Sequence, residues 1–178
     1  MIKRANPLRR RRRGAQEGAT AVEFAMVAGP LFFMIMATLE LAMVFVVSTM
    51  LESALSKAAR EIRTGQQQGS ADVSQDAFID KVCSQMVFLQ ASCEGQLAVD
   101  VRGTAGFSSD GAPDPTEGGA FSTSNLTFQP GGPNAIVLVR AFYKWPLFTP
   151  FLSQALSKVG GNTAVITAAD TFRNEPYA

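Results

Sequence analysis

Between Phe24 and Val47 the chain carries a single charged residue, Glu40. As a helix these residues rise about 1.5 Å each, or about 36 Å in all, enough to cross a hydrocarbon core of about 30 Å with some tilt. Ahead of the run stand Lys3, Arg4 and the block Arg9 to Arg13, opposed by Glu17 alone. A basic block in that place is far more often the flank retained in the cytoplasm under the positive-inside rule than an arm for nucleic acid. The expected topology is a single pass with the N-terminus inside and everything beyond Val47 outside.

The overall formal charge of +1 conceals a division. Residues 1–18 hold seven cations and one anion, a net of +6, so the remainder carries −5. A cut there would release a basic leader and leave an acidic product. A secretory signal removed on the far side would need a short apolar core and small residues in an A-x-A-like pattern. Ala42 follows Glu40 by two positions and Ala37 follows Ile35, so neither offers it. Processing on the near side, before the apolar run, stays open.

At that near side the residues carry a resemblance. Gly18, the small Ala19, Glu23 at the fifth position beyond the glycine and Phe24 next, all ahead of an apolar helix, resemble the processing site of type IV prepilins. The run from Gly18 to Phe33, with Leu39-Glu40-Leu41 following, is similar to the TadE-like proteins of the tight-adherence (Tad, or Flp) pilus machinery. The resemblance implies cleavage between Gly18 and Ala19 by a membrane aspartic prepilin peptidase. It also implies a place among the other Tad pilus subunits and their inner-membrane platform. An intact processing glycine and moderate length favour the TadE or TadF type over the larger TadG.

The glycine-to-glutamate spacing also has a physical reading. An ionised carboxylate inside a bilayer costs about 2.5–3.5 kcal/mol even on the lenient insertion scale. Cleavage after Gly18 would give Glu23 a partner, the new α-ammonium of Ala19 one helical turn away or that of a neighbouring subunit. Glu23 held at headgroup level and solvated is the alternative. Ala21, Ala25 and Gly29 recur every four residues, a small-residue stripe of the kind membrane helices pack through, although such stripes also arise by chance. Pro30 removes a backbone donor, so a kink is expected between Met26 and Pro30. Glu40, about 25 Å further along the axis, is expected near the outer interface.

The helix is expected to continue outside the membrane. Leu51, Ala54, Leu55, Ala58 and Ile62 share a helical face, Lys57 and Glu61 stand one turn apart, and Gly65 is a natural stop. Gln66 to Ser70 reads as a linker. Phe78, Ile79, Val82 and Met86 predict a second helix over Ser74–Phe88. Cys83 and Cys93 fall on the oxidising side of the membrane, where a structural disulfide is the favoured reading. With no histidine in the chain they make a poor zinc site and lack a base to activate a thiol.

Leu97–Arg102 alternates as a strand with one buried face, Ala135–Trp145 reads as a central strand stopped by Pro146, and Thr163–Arg173 as a last strand. Thr149 and Pro150 form an N-cap and first-turn pair for a short helix with Leu152, Ala155, Leu156 and Val159 on one face, ended by Gly160-Gly161. Gly103 to Pro133, rich in Gly, Ser, Thr and Pro, predicts a long surface loop. Asp110, Asp114 and Glu117 lack the spacing of a calcium loop. The motifs near Cys93, the Tyr143-to-Pro146 strand end and the close from Phe172 to Tyr177 add to the TadE-like resemblance.

The expected architecture is therefore α+β and pilin-like: a long N-terminal transmembrane helix packed on a small antiparallel sheet with short helices. Its parts are a basic cytoplasmic leader (1–18), a transmembrane and extended helix (19–65) and a periplasmic α+β domain (66–178). A minor pilin or pseudopilin of the bacterial inner membrane, needed for pilus assembly and surface adhesion, is the reading these residues favour. An uncleaved, membrane-anchored periplasmic adaptor is the alternative. No catalytic spacing, cofactor, metal or nucleic-acid partner is indicated, so an enzyme has little support.

Overall fold

A computed structural model describes residues 7–66, 74–107 and 111–176, without the side chains of 7–17, 150 and 151. The first six leader residues, the Gln67–Ser70 part of the linker, Asp110 and Tyr177 lie outside the described residues. The chain divides into two units, 1–39 and 40–178. In the first, helix α1 (Pro7–Arg63) begins, and its helical assignment runs through Pro30 without a break. Its large apolar side chains, among them Val22, Phe24, Leu31, Phe32 and Met34, are exposed. The one hydroxyl of the run, on exposed Thr38, is satisfied locally, because its Oγ1 donates to the Met34 carbonyl at 2.8 Å.

The second unit is built on the rest of α1. Leu51, Ala54, Leu55, Ala58 and Ile62 are all buried, as their spacing predicts, together with Val47 and Ala59. They pack in one cluster with Phe78, Val82 and Met86 and with Val99, Val101, Val137, Val139 and Tyr143 of a three-stranded sheet. The helix then stops at Gly65 for a stated reason. Gly65 takes φ +71°, its N–H donates to Ile62 and that of Gln66 to Glu61, the paired bonds of a Schellman cap. The Glu175 N–H donates to the Arg63 carbonyl at 2.9 Å, so the segment after β3 closes the same helix end.

Helix α2 (Gln75–Gln85) starts at an N-cap where Ser74 accepts the Ala77 N–H. It is shorter than the expected Ser74–Phe88, because Met86 leaves the helical region and leaves Val87 and Phe88 exposed. Short α3 (Gln90–Cys93) follows. Lys57 and Glu61 do not pair along α1. Glu61 binds Lys81, and Lys57 Nζ donates to Gln85 Oε1 at 3.5 Å, so both reach across to α2 instead.

Strands β1 (Leu97–Thr104), β2 (Ile136–Pro146) and β3 (Thr163–Arg173) form an antiparallel sheet in the order β1-β2-β3. Leu97 opposes Tyr143, and Ile136 opposes Arg173. β1 was expected to bury one face; Leu97 through Val101 are buried on both. The cause is the segment 113–129, which is not the open surface loop its composition predicts. The Val101 N–H donates to the Thr127 carbonyl at 2.7 Å and the Gln129 N–H to the Val101 carbonyl at 2.8 Å, so the segment pairs with the free edge of β1. Phe128 meets Phe78 at 5.8 Å on one side, and Phe121 meets Phe142 at 6.4 Å on the other.

Helix α4 (Pro150–Leu156) begins after Thr149, as expected, but the Thr149 side chain caps nothing and the helix ends before Val159. Gly160 and Gly161, both at positive φ, form the turn into β3.

Candidate functional site

Gly18, Ala19, Glu23 and Phe24 all lie on α1, inside regular helix and exposed. Ala19 and Glu23 are four residues apart and so share one face, the juxtaposition that an amine at residue 19 would need to meet the carboxylate. The Gly18–Ala19 peptide bond is helical. A glycine makes local unwinding cheaper by about 1 kcal/mol relative to alanine. Among the described residues, no atom outside its own helix comes within 4 Å of where a Gly18 Cβ would stand.

Ala21, Ala25 and Gly29 are exposed as well, and among the described residues no atom beyond the helix comes within 4 Å of a Cβ placed on Gly29. Such a face leaves backbone accessible to a close neighbour. Together with the exposed Phe24, Leu31 and Phe32, the helix presents to its surroundings a surface that only lipid or other apolar helices can match.

Glu40 has partners that its place in the apolar run did not reveal. It is 8% exposed, and its carboxylate accepts the N–H of Phe148 and, at 2.9 Å, that of Thr149. These two amides sit just ahead of α4, where backbone donors have no partner within the helix. The acid therefore finds partners for its charge within the protein itself. Sequence spacing gave no hint of the pairing, because its partners are backbone groups more than a hundred residues away.

Cys83 and Cys93 form a disulfide with a Cα–Cα distance of 5.5 Å. Both are buried, and the bond joins the end of α2 to α3 against the shared core.

The second charged cluster centres on Asp100, wholly buried on β1. Burial alone would raise its pKa. The Arg102 guanidinium, the Thr127 amide at 3.0 Å and the opposing Arg140 outweigh that and hold the carboxyl below the ordinary aspartate range. Arg102 Nε donates at 2.8 Å and Arg140 Nη2 at 2.7 Å. Arg140 also donates to the Pro113 carbonyl and stacks over Phe142. Five N–H donors reach the two carboxylate oxygens, so the cluster is a structural fastener for segment 113–127. Among the described residues no three His, Cys, Asp or Glu side chains gather as metal ligands would.

One comparison finds a similarity in the N-terminal part of the chain. Residues 18–60 match the family model for TadE-like protein. The N-terminal segment is TadE-like. The matched stretch starts at Gly18, takes in the whole apolar run and Glu40, and ends within the buried face of α1. The TadE-like match stops short of Cys93, Tyr143 and Phe172, where the sequence pieces had suggested further similarity. No curated protein matches the chain. No solved structure matches it either. α1 is long and apolar enough over 18–63 to cross a membrane once, and most of that stretch lies within the TadE-like match.

Proposed function

We propose that this chain is a minor pilin or pseudopilin of a Tad (Flp) pilus system, held in the bacterial inner membrane until it is assembled. Its N-terminus is cytoplasmic and the unit carrying the sheet is periplasmic, a placement that suits the disulfide between Cys83 and Cys93. A prepilin peptidase cleaves between Gly18 and Ala19. The mature helix then packs on other pilus subunits through its exposed apolar face, Ala21, Ala25 and Gly29 allowing close approach and Glu23 setting register with Phe24 beside it. The work is structural, in pilus assembly and surface adhesion, and the chain performs no catalysis.

The observation that carries this reading is where the family similarity begins. It starts at Gly18, the residue after which cleavage would fall, and leaves the basic leader outside. An anchored adaptor would have no use for a glycine five residues ahead of an intramembrane acid, since the arginines alone meet the positive-inside rule.

The test is the N-terminal sequence and mass of the protein recovered from membranes of cells carrying the complete pilus machinery, beside a Gly18→Ala variant. A wild-type product that starts at Ala19, lost in the variant, is the expected result. An intact leader in both overturns the proposal and leaves an uncleaved periplasmic adaptor.

A further inference from the structure

Within the unit 40–178, α1, the end of α4 and β3 enclose a groove of about 390 Å³, at the small end of the range for ligand pockets. Its lining is almost wholly apolar: Leu41, Phe45 and Ser48 on one side, Leu156 and Ile166 on the other, with Lys158 as the one charged residue. Leu41 and Phe45 are 39% and 71% exposed, so the protein's own side chains leave this wall open. Both belong to the last turns of the apolar run, which ends at Val47. The wall thus belongs to the same apolar run as the candidate membrane span.

The opposite wall is held by the acid just described. Glu40, one residue before Leu41, fixes the amides of Phe148 and Thr149 and thereby the start of α4, whose other end carries Leu156. Phe148 beside it is 75% exposed, another apolar group at the same level. Lys158 takes part in none of the ion pairs among the described residues, although its charge reaches Asp114.

Size separates the candidate occupants. One turn of a helix about 10–12 Å across, rising about 5.4 Å, fills roughly 400–600 Å³. A partner helix would therefore exhaust the groove within a single turn, whereas an acyl chain is far narrower. A lone lysine beside apolar walls at the edge of a membrane span suits a phosphate at headgroup level, with the lysine stem lying along the apolar surface. We propose that the groove seats one acyl chain of an anionic membrane phospholipid, its phosphate against Lys158. The inference uses only the membrane anchor and stands whether or not Gly18 is cleaved.

The full chain, reconstituted in phosphatidylcholine nanodiscs doped with phosphatidylglycerol bearing a diazirine in mid-chain, tests it by photolabelling and peptide mapping. Label is expected on Leu156 and on the stretch between Lys158 and Arg173, as well as on Phe24–Leu39, which takes no part in the groove. Ser48→Phe or Leu156→Trp, which fill the groove, remove the first two and leave the third, an internal control that does not depend on the groove. Lys158→Gln, at an exposed side chain that folding does not need, lowers groove labelling by the anionic probe about fivefold, the worth of one cation beside an anionic surface, and spares a phosphatidylcholine probe. Label confined to Phe24–Leu39 in the wild type, or groove label that survives filling, overturns the proposal. Groove label lost when discs hold two chains instead of one overturns it in favour of a second copy as occupant.

Discussion

The Glu40 carboxylate accepts the backbone N–H of Thr149 at 2.9 Å, joining an acid of the apolar run to the start of α4. Its other oxygen takes the N–H of Phe148. Two charge-assisted bonds from one buried group make the joint stronger than either contact alone suggests. Glu40→Ala removes the acceptor from both amides, and hydrogen bonds to a charged group are worth about 1.5–3 kcal/mol each. The expected outcome is faster hydrogen exchange at Phe148 and Thr149 and a lower melting temperature. Glu40→Gln keeps one carbonyl oxygen and is expected to protect one amide of the two. Unchanged exchange in the alanine variant would remove Glu40 from this account.

Asp100 makes a second prediction, through pH. Its folded pKa is depressed, so its contribution to stability is fully present above the unfolded value of about 3.9 and is lost as pH falls through the lower folded value. Asp100→Asn leaves Arg140, 8% exposed, beside a neutral partner. Breaking one half of a buried pair costs about 3–5 kcal/mol. Denaturant titrations at neutral pH should show that loss, and the variant's stability should fall less than the wild type's as pH drops below about 3.9. Parallel pH curves for the two proteins would show that the network carries no linked proton.

Much of this was legible in the residues, and what was not has a common cause. The buried stripe Leu51 to Ile62, the Gly65 stop and the Cys83–Cys93 pair follow from local periodicity, backbone freedom and compartment chemistry. Three strands were placed within a residue or two at most ends. Alternation in Leu97–Arg102, however, reports side chains and cannot report that segment 113–129 will pair with the β1 edge through its backbone. A polar, glycine-rich composition hid that pairing. Lys57 and Glu61 had the right spacing to bind each other, but α2 brought Lys81 and Gln85 closer. Glu40 found backbone donors that no pattern in its own helix reveals. The candidate site was clearest where it is local, at Gly18–Phe24, and hidden where tertiary contacts make it.

The paired segment supplies a third prediction. Phe128 is half-buried against Phe78, and the residues either side of it are hydrogen-bonded to Val101. Phe128→Ala gives up that packing, and a core Phe→Ala change costs about 3–5 kcal/mol at full burial, so a smaller loss is expected here. Limited proteolysis should then cut between Phe121 and Pro133 while the remainder stays intact. Resistance equal to the wild type would mean that the backbone pairing alone holds the segment.

The disulfide can be separated from the core it sits in. A bridge closing a short loop stabilises by about 2–4 kcal/mol, chiefly by restricting the unfolded chain. Replacing both Cys83 and Cys93 by serine buries two hydroxyls where sulfur was, whereas replacing both by alanine does not. The alanine pair should melt lower than the oxidised wild type by no more than the reduced wild type does. Protein taken from membranes under thiol-blocking conditions should gain no mass from the blocking reagent. Alkylation of both cysteines would place this unit in a reducing compartment and reverse the proposed topology.

Glu23 offers the prediction that divides the two readings of its own position. If it meets the new amine at Ala19, within the chain or on a neighbour, its charge matters only after the cut. Glu23→Ala and Glu23→Gln should then leave cleavage after Gly18 intact, since the scissile bond and leader are untouched. Incorporation into sheared pili should fall sharply in both, because an isosteric amide cannot replace the ion pair. Both quantities come from one preparation, by N-terminal sequencing of the membrane fraction and immunodetection in the pilus fraction. Wild-type incorporation of the glutamine variant would place Glu23 among the solvated headgroups, its charge idle in assembly, and would leave register to the Ala21, Ala25 and Gly29 face.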